Sequence, residues 1–318
     1  MGYDTSFHPV DLRLVEERLL PFVAGHGDDD ALDDLIARAV GIRRTRFRAK
    51  QWALGALEAK VDALESDVHV WGRPFLVAGD DPEQVADAVQ RYLATPADGV
   101  DALAREMLAR VDPALPGRVT PDEGGGALPG DAELGRSLSW RIRVVRALAI
   151  GLRAGRETAP DPDSPSQRHE VDMLGREVAF TLLDFASELT PGWMSRGLTW
   201  PTHLLAQADL PRGAFIRPAA LHRPLREEFP DLEWLEEETI IHNDMVGGYV
   251  PPEAVPATRA HLTAHRDALI APAANDGWEE YCALNLTKID EALTLAARLG
   301  FGFCEATEIY SGFSGTLN

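Results

Sequence analysis

Apolar residues recur at helical spacing along most of this chain, and that pattern predicts its architecture. The clearest stretch is 168–189, where Val171, Leu174, Val178, Leu182, Phe185 and Leu189 share one stripe. Phe180 and Leu183 lie off that stripe and predict a second contact surface. Residues 131–154 repeat the pattern through Leu134, Leu138, Ile142, Val145, Ala149 and Leu152, with Trp140, Val144 and Leu148 on another side. A helix apolar on two sides is expected to be buried over much of its circumference. Further helices are predicted over 11–24 (Leu12, Val15, Leu19, Phe22), 45–65 (Phe47, Leu54, Leu57, Val61, Leu64) and 278–299 (Trp278, Cys282, Leu286, Ile289, Leu293, Ala296). Pro82, behind Asp80 and Asp81, opens another as far as Leu93, and one more spans 98–111.

The breaks between these stretches are supplied by glycine, proline and short acids. Gly25 and Gly27 end the first helix, Asp28, Asp29 and Asp30 offer caps for the next, Gly41 stops it and Thr45 caps its successor. Strand periodicity is scarce. Residues 68–77 alternate and then meet Gly72 and Pro74, which predicts an edge strand, and 239–241 and 301–310 are further short candidates. Residues 112–130, with four prolines and five glycines, read as a linker between an N-terminal helical domain (1–112) and a C-terminal one (131–318). Residues 155–167 read as an exposed, mobile loop. The fold class is therefore mainly α: roughly ten packed helices with a minor antiparallel β element.

Composition narrows the class. A chain of 318 residues with 45% hydrophobic and 26% charged side chains falls in the globular range. No apolar run is long enough to span a membrane, and no basic segment precedes an apolar one at the start, so neither a membrane anchor nor a signal peptide is expected. Cys282 and Cys304 are the only cysteines, which fits a reducing cytoplasm. Only three of the 31 basic side chains are lysines, a bias that fits a GC-rich bacterial genome.

The net charge of −20 excludes general binding to nucleic-acid phosphates, which needs a cationic surface. Residues 227–244 concentrate eight acids (Glu227, Glu228, Asp231, Glu233, Glu236, Glu237, Glu238, Asp244) without a lysine or arginine. Such a run is either a solvated face or a docking surface for a basic partner. Two basic stretches oppose it: five cations among the eight residues 43–50, and Arg136, Arg141, Arg143, Arg146 and Arg153 on the long helix. Arginines on a helix with apolar flanks imply acidic partners close by.

Candidate chemistry gathers in 239–270. A β-branched run leads to His242-Asn243-Asp244, a Gly247-Gly248 turn and a proline-started helix carrying His261 and His265 four apart, hence on one face. His242, Asp244, His261 and His265 together would suit a divalent metal such as zinc. The metalloprotease form places Glu beside the first His, where this chain has Leu262, so that class is excluded. Pro251 and Pro252 have no N–H to offer an anion, which counts against a phosphate cradle after the glycines. Two functions follow from different classes. One is a non-catalytic cytoplasmic binding protein, of the immunity or antitoxin type, whose acidic face captures a basic partner. The other is a metal-dependent enzyme, most plausibly a hydrolase, built on the His/Asp set.

Overall fold

The computed structural model describes residues 4–59, 72–124, 126–164, 166–235, 239–307 and 309. Strand β1 (Asp4–Val10) leads into a helical stretch made of α1 (Leu12–Leu14), a π turn (Val15–Leu19) and α2 (Leu20–Val23), capped where Asp11 accepts from the Leu14 amide at 3.2 Å. Then come α3 (Asp33–Glu58), α4 (Pro82–Leu93), α5 (Val100–Val111) and α6 (Asp131–Arg153). A hairpin of β2 (Thr158–Pro160) and β3 (Arg168–Glu170) precedes α7 (Leu174–Leu189). The chain continues through β4 (Trp193–Arg196), α8 (Pro201–Gln207), α9 (Arg223–Glu228) and β5 (Val246–Val250). It closes with α10 (Val255–Ala264), α11 (Arg266–Ala274), α12 (Glu279–Leu299) and β6 (Gly302–Thr307). The described chain is thus mainly α, with a small four-stranded antiparallel sheet and a two-stranded one.

The four-stranded sheet has the order β4-β1-β6-β5, so strands from opposite ends of the sequence form its middle. Both faces are covered. Phe7, Trp193, Val250 and Phe303 join a first core with α4, α5, α12 and the end of α3. Val10, Val246, Tyr249, Cys304 and Ala306 join a second core with α2, α6 and α7. Each core draws on residues before 112 and after 131. Among the described residues no helix is long and apolar enough to cross a membrane.

Several expected elements take another form. Gly41 does not stop a helix: α3 runs through it, with open space where a Cβ would sit. The face that α3 buries is Thr45, Arg46, Ala49, Lys50, Trp52 and Ala53, not Phe47, Leu54 and Leu57, because its cations find partners inside. Val61 and Leu64 lie outside the described residues, as does 68–71 of the expected edge strand. The remainder, 72–77, is irregular, yet it buries Phe75, Leu76 and Val77 in the first core.

Gly247 and Gly248 belong to β5 rather than to a turn, and 239–241 is not a strand. A Cβ on Gly247 would stand 2.3 Å from the Trp200 ring, so glycine lets the indole lie directly on the strand. The expected proline-started helix breaks at His265, which ends α10 and precedes α11. Trp278 precedes α12 and is half exposed instead of joining its buried stripe. Residues 155–167 are exposed over most of their described length but anchored by the buried Asp161, which accepts from Trp140 Nε1 at 3.0 Å and pairs with His169 Nε2 at 2.9 Å.

Candidate functional site

The proposed metal ligands occupy two places. His261 and His265 are neighbours, with ring centroids 4.5 Å apart, and His265 Nδ1 meets the His261 carbonyl at 2.9 Å. Their helix packs on α12 through Val255 and Leu262, in the first core. Asp244 stands elsewhere: its carboxylate is 3.3 Å from the Arg141 guanidinium on α6, beside Val246 and Phe180 of the second core. His242 is exposed two positions earlier. Among the described residues, no group of three or more His, Cys, Asp or Glu side chains is arranged to hold a metal ion.

Asp244 belongs instead to a cluster of acids around one arginine. Arg141 also reaches Glu177 at 3.4 Å and Asp184 at 3.9 Å, both on α7. One helical turn from Asp184, Glu188 pairs with Arg43 through both guanidinium nitrogens that face it. Position on the helix sets these two acids apart chemically. Burial, then the Glu188 charge, push the Asp184 carboxyl up to about 7. Burial also acts against charged Glu188, but Arg43 and Arg46 outweigh it and hold that carboxyl below its usual range.

The basic stretch 43–50 is engaged within the fold. Besides Arg43, Arg44 pairs with Asp131, Arg48 with Asp101 and Glu123, and Lys50 Nζ donates to the Arg73 carbonyl at 2.9 Å. Burial, then the like charges of Arg46 and Lys288, lower Lys50 to about 7. His8, on the opposite face of β1 from Phe7, is lowered to about 3 by burial and then by Arg46. The long helix follows the same rule: Arg143 pairs with Asp163, Arg146 with Asp29 and Arg153 with Glu228. Four of the five arginines on the long helix, Arg141, Arg143, Arg146 and Arg153, thus have acidic neighbours in this chain.

The acidic run is left outward. Glu227, Glu228, Asp231 and Glu233 are exposed; Glu227 lies 3.9 Å from Arg223 and Glu228 is held by Arg153. Glu236, Glu237 and Glu238 lie outside the described residues. Two apolar side chains of the same segment are uncovered, Leu235 at 40% and Ile241 at 64% exposure.

Ile241 also stands at a cavity of about 400 Å³ that sequence reasoning did not find. Trp200, Leu210 and Ile240 give it apolar walls, and Thr202, His203 and Arg212 supply polar groups. Beneath Thr202 lies Glu305 of β6, fully buried, accepting from the Thr202 amide at 3.0 Å and from its hydroxyl. Arg212 donates to the Gly247 carbonyl at 3.2 Å. A pocket of this size, with a few convergent polar groups, can receive a side chain or a small ligand. No protein-family model, curated protein or solved structure matches the chain.

Proposed function

We propose that the protein is a non-catalytic cytoplasmic binding protein, of the immunity or antitoxin type, that captures a basic partner on the surface built by 227–244. One observation carries this reading. Arg43, Arg44 and Arg48 of α3 and Arg141, Arg143, Arg146 and Arg153 of α6 are engaged by acids of the fold, while Asp231 and Glu233 remain exposed in the same segment as the uncovered Leu235 and Ile241. Exposed acids attract an oppositely charged partner over a distance, and uncovered apolar side chains of the same segment supply contacts that hold it. The cavity behind Ile241 gives such a partner a place to insert one side chain. The metal-dependent hydrolase reading is supported by two adjacent imidazoles, where a tightly held ion needs at least three protein ligands.

A photo-crosslinking amino acid placed at Ile241, with a control at the exposed Ala114, tests the proposal in cells expressing the protein. The expected product is a basic protein joined at Ile241, absent at Ala114, whose yield falls as salt is raised after lysis. Acidic or neutral products at Ile241, or equal products at both positions, would overturn it.

A further inference from the structure

A second cavity, of about 380 Å³, lies between α2, α6 and the β2 hairpin. Its charge is opposite to that of the whole chain. Arg143, Arg146 and Arg156 line it, with Asp29 as the one acid among the lining residues. Its remaining surface is apolar: Phe22, Ala147, Ile150, Pro160 and Pro162.

The three guanidinium groups are held differently. Arg146 is buried and fixed from several sides: it donates to the carbonyls of Phe22 at 2.8 Å, His26 at 3.1 Å and Gly27 at 2.7 Å, and its centre lies 4.5 Å from the Phe22 ring centroid. Carbonyls satisfy its donors without cancelling its charge. The carboxylate it meets, Asp29 at 3.2 Å, is 96% exposed and therefore well screened by water. Arg143 is paired with Asp163 at 2.8 Å, which fixes its direction. The exposed Arg156 makes no side-chain hydrogen bond or ion pair among the described residues.

We infer that this cavity binds a small organic oxyanion, a carboxylate or phosphate carried on a flat apolar body. A guanidinium presents paired donors that match carboxylate and phosphate oxygens, and Arg156 has its donors available for them. Arg146 adds a fixed positive charge that needs no rearrangement when the anion arrives. Phe22, Ile150, Pro160 and Pro162 form walls for the apolar body, which separates this site from one that takes a bare ion. The volume falls in the range of small-molecule sites. This site is independent of the acidic docking surface.

Isothermal titration of the full chain at low ionic strength tests the inference with three probes: phenyl phosphate, benzoate and inorganic phosphate. Saturable one-to-one binding of phenyl phosphate or benzoate is expected, at least about tenfold tighter than inorganic phosphate. The tighter of the two organic probes identifies the head group. Arg156→Gln should weaken that binding about tenfold, and Ile150→Asp, which sets a negative charge in the apolar wall, should abolish it. Both side chains are exposed, and circular dichroism would establish that each variant folds. Absence of saturable binding by either organic probe would overturn the site. So would inorganic phosphate binding as tightly as they do, or an Arg156→Gln variant with unchanged affinity.

Discussion

Arg73 and Glu291 form a bidentate ion pair sealed against the first core: Nη2 meets Oε1 at 2.9 Å and Nε meets Oε2 at 3.3 Å, with the side chains 4% and 1% exposed. Two charges out of water cost several kcal/mol each, so neither can be present without the other. Arg73 also reaches Asp80 at 3.1 Å, but that carboxylate is 85% exposed and offers little compensation. Glu291→Ala should therefore destabilise the protein by about 3–5 kcal/mol in urea unfolding. Replacing the pair together, Arg73→Met with Glu291→Leu, should recover most of the loss. A loss in the double variant equal to the sum of the losses for Arg73→Met and Glu291→Leu made alone would mean that the pair is not coupled.

A pH dependence follows from Asp184. Burial, then Glu188, raise its carboxyl to about 7, against about 3.9 in an unfolded chain. The folded state therefore holds this proton more tightly. Its contribution to stability is complete below about pH 4 and is lost as pH rises through 7. Arg141 and Arg43, which also face the group, limit the shift, and Asp244 adds to it. Asparagine resembles the protonated acid, so Asp184→Asn should unfold like the parent near pH 4 and gain one to a few kcal/mol on it by pH 8. Urea unfolding at both pH values measures this difference. A gap between parent and variant that is the same at pH 4 and pH 8 would exclude the shifted carboxyl.

Legibility in the sequence followed burial. Helix α7 was readable because its buried side is apolar, and Phe180 and Leu183 correctly marked a second buried surface. Strands β1 and β6 were hard to read because both faces of their sheet are covered. Thr5, Ser6, His8 and Glu305 are all buried there, so no apolar–polar alternation survives, and their pairing joins residues about 300 positions apart. Of these two strands only β6 offered a signal, within 301–310. Helix α3 was misread for a related reason: hydropathy assigns Arg46 and Lys50 to solvent, whereas the Glu188 charge that Arg46 feels and the Arg73 carbonyl that accepts from Lys50 let them sit inside. The acidic run was plain as a charge pattern. Its cavity was not, because Trp200 and Arg212 lie far in sequence from Ile241 and Gly247 and only the fold brings them together.

Gly247 ties that sheet to the cavity. Its absent side chain lets the Trp200 ring rest on β5, and an added Cβ would approach ring atoms at 2.3–2.6 Å. Gly247→Ala should push the indole away, at a cost of about 1–3 kcal/mol for overpacking. Thermal unfolding measures the cost, and a change in tryptophan fluorescence would report the moved ring. Unchanged stability and emission together would show that Trp200 does not rest on the strand.

The docking surface makes two demands that fall on different rate constants. Charge acts before contact, so Glu227→Gln, Asp231→Gln and Glu233→Gln together should slow association with a basic partner several-fold at low salt. The effect should fade above about 0.5 M salt, where screening shortens the reach of charge to a few ångströms. These carboxylates are exposed, so folding should be nearly unaffected. Ile241 acts only after contact. Ile241→Ala should leave the association rate in place and speed dissociation at least about fivefold, because a truncated apolar anchor typically costs more than 1 kcal/mol. Surface plasmon resonance with the partner recovered by crosslinking at Ile241 separates the two effects. An association rate insensitive to both salt and the triple substitution would remove the acidic run from recognition. A dissociation rate unchanged by Ile241→Ala would remove the apolar anchor.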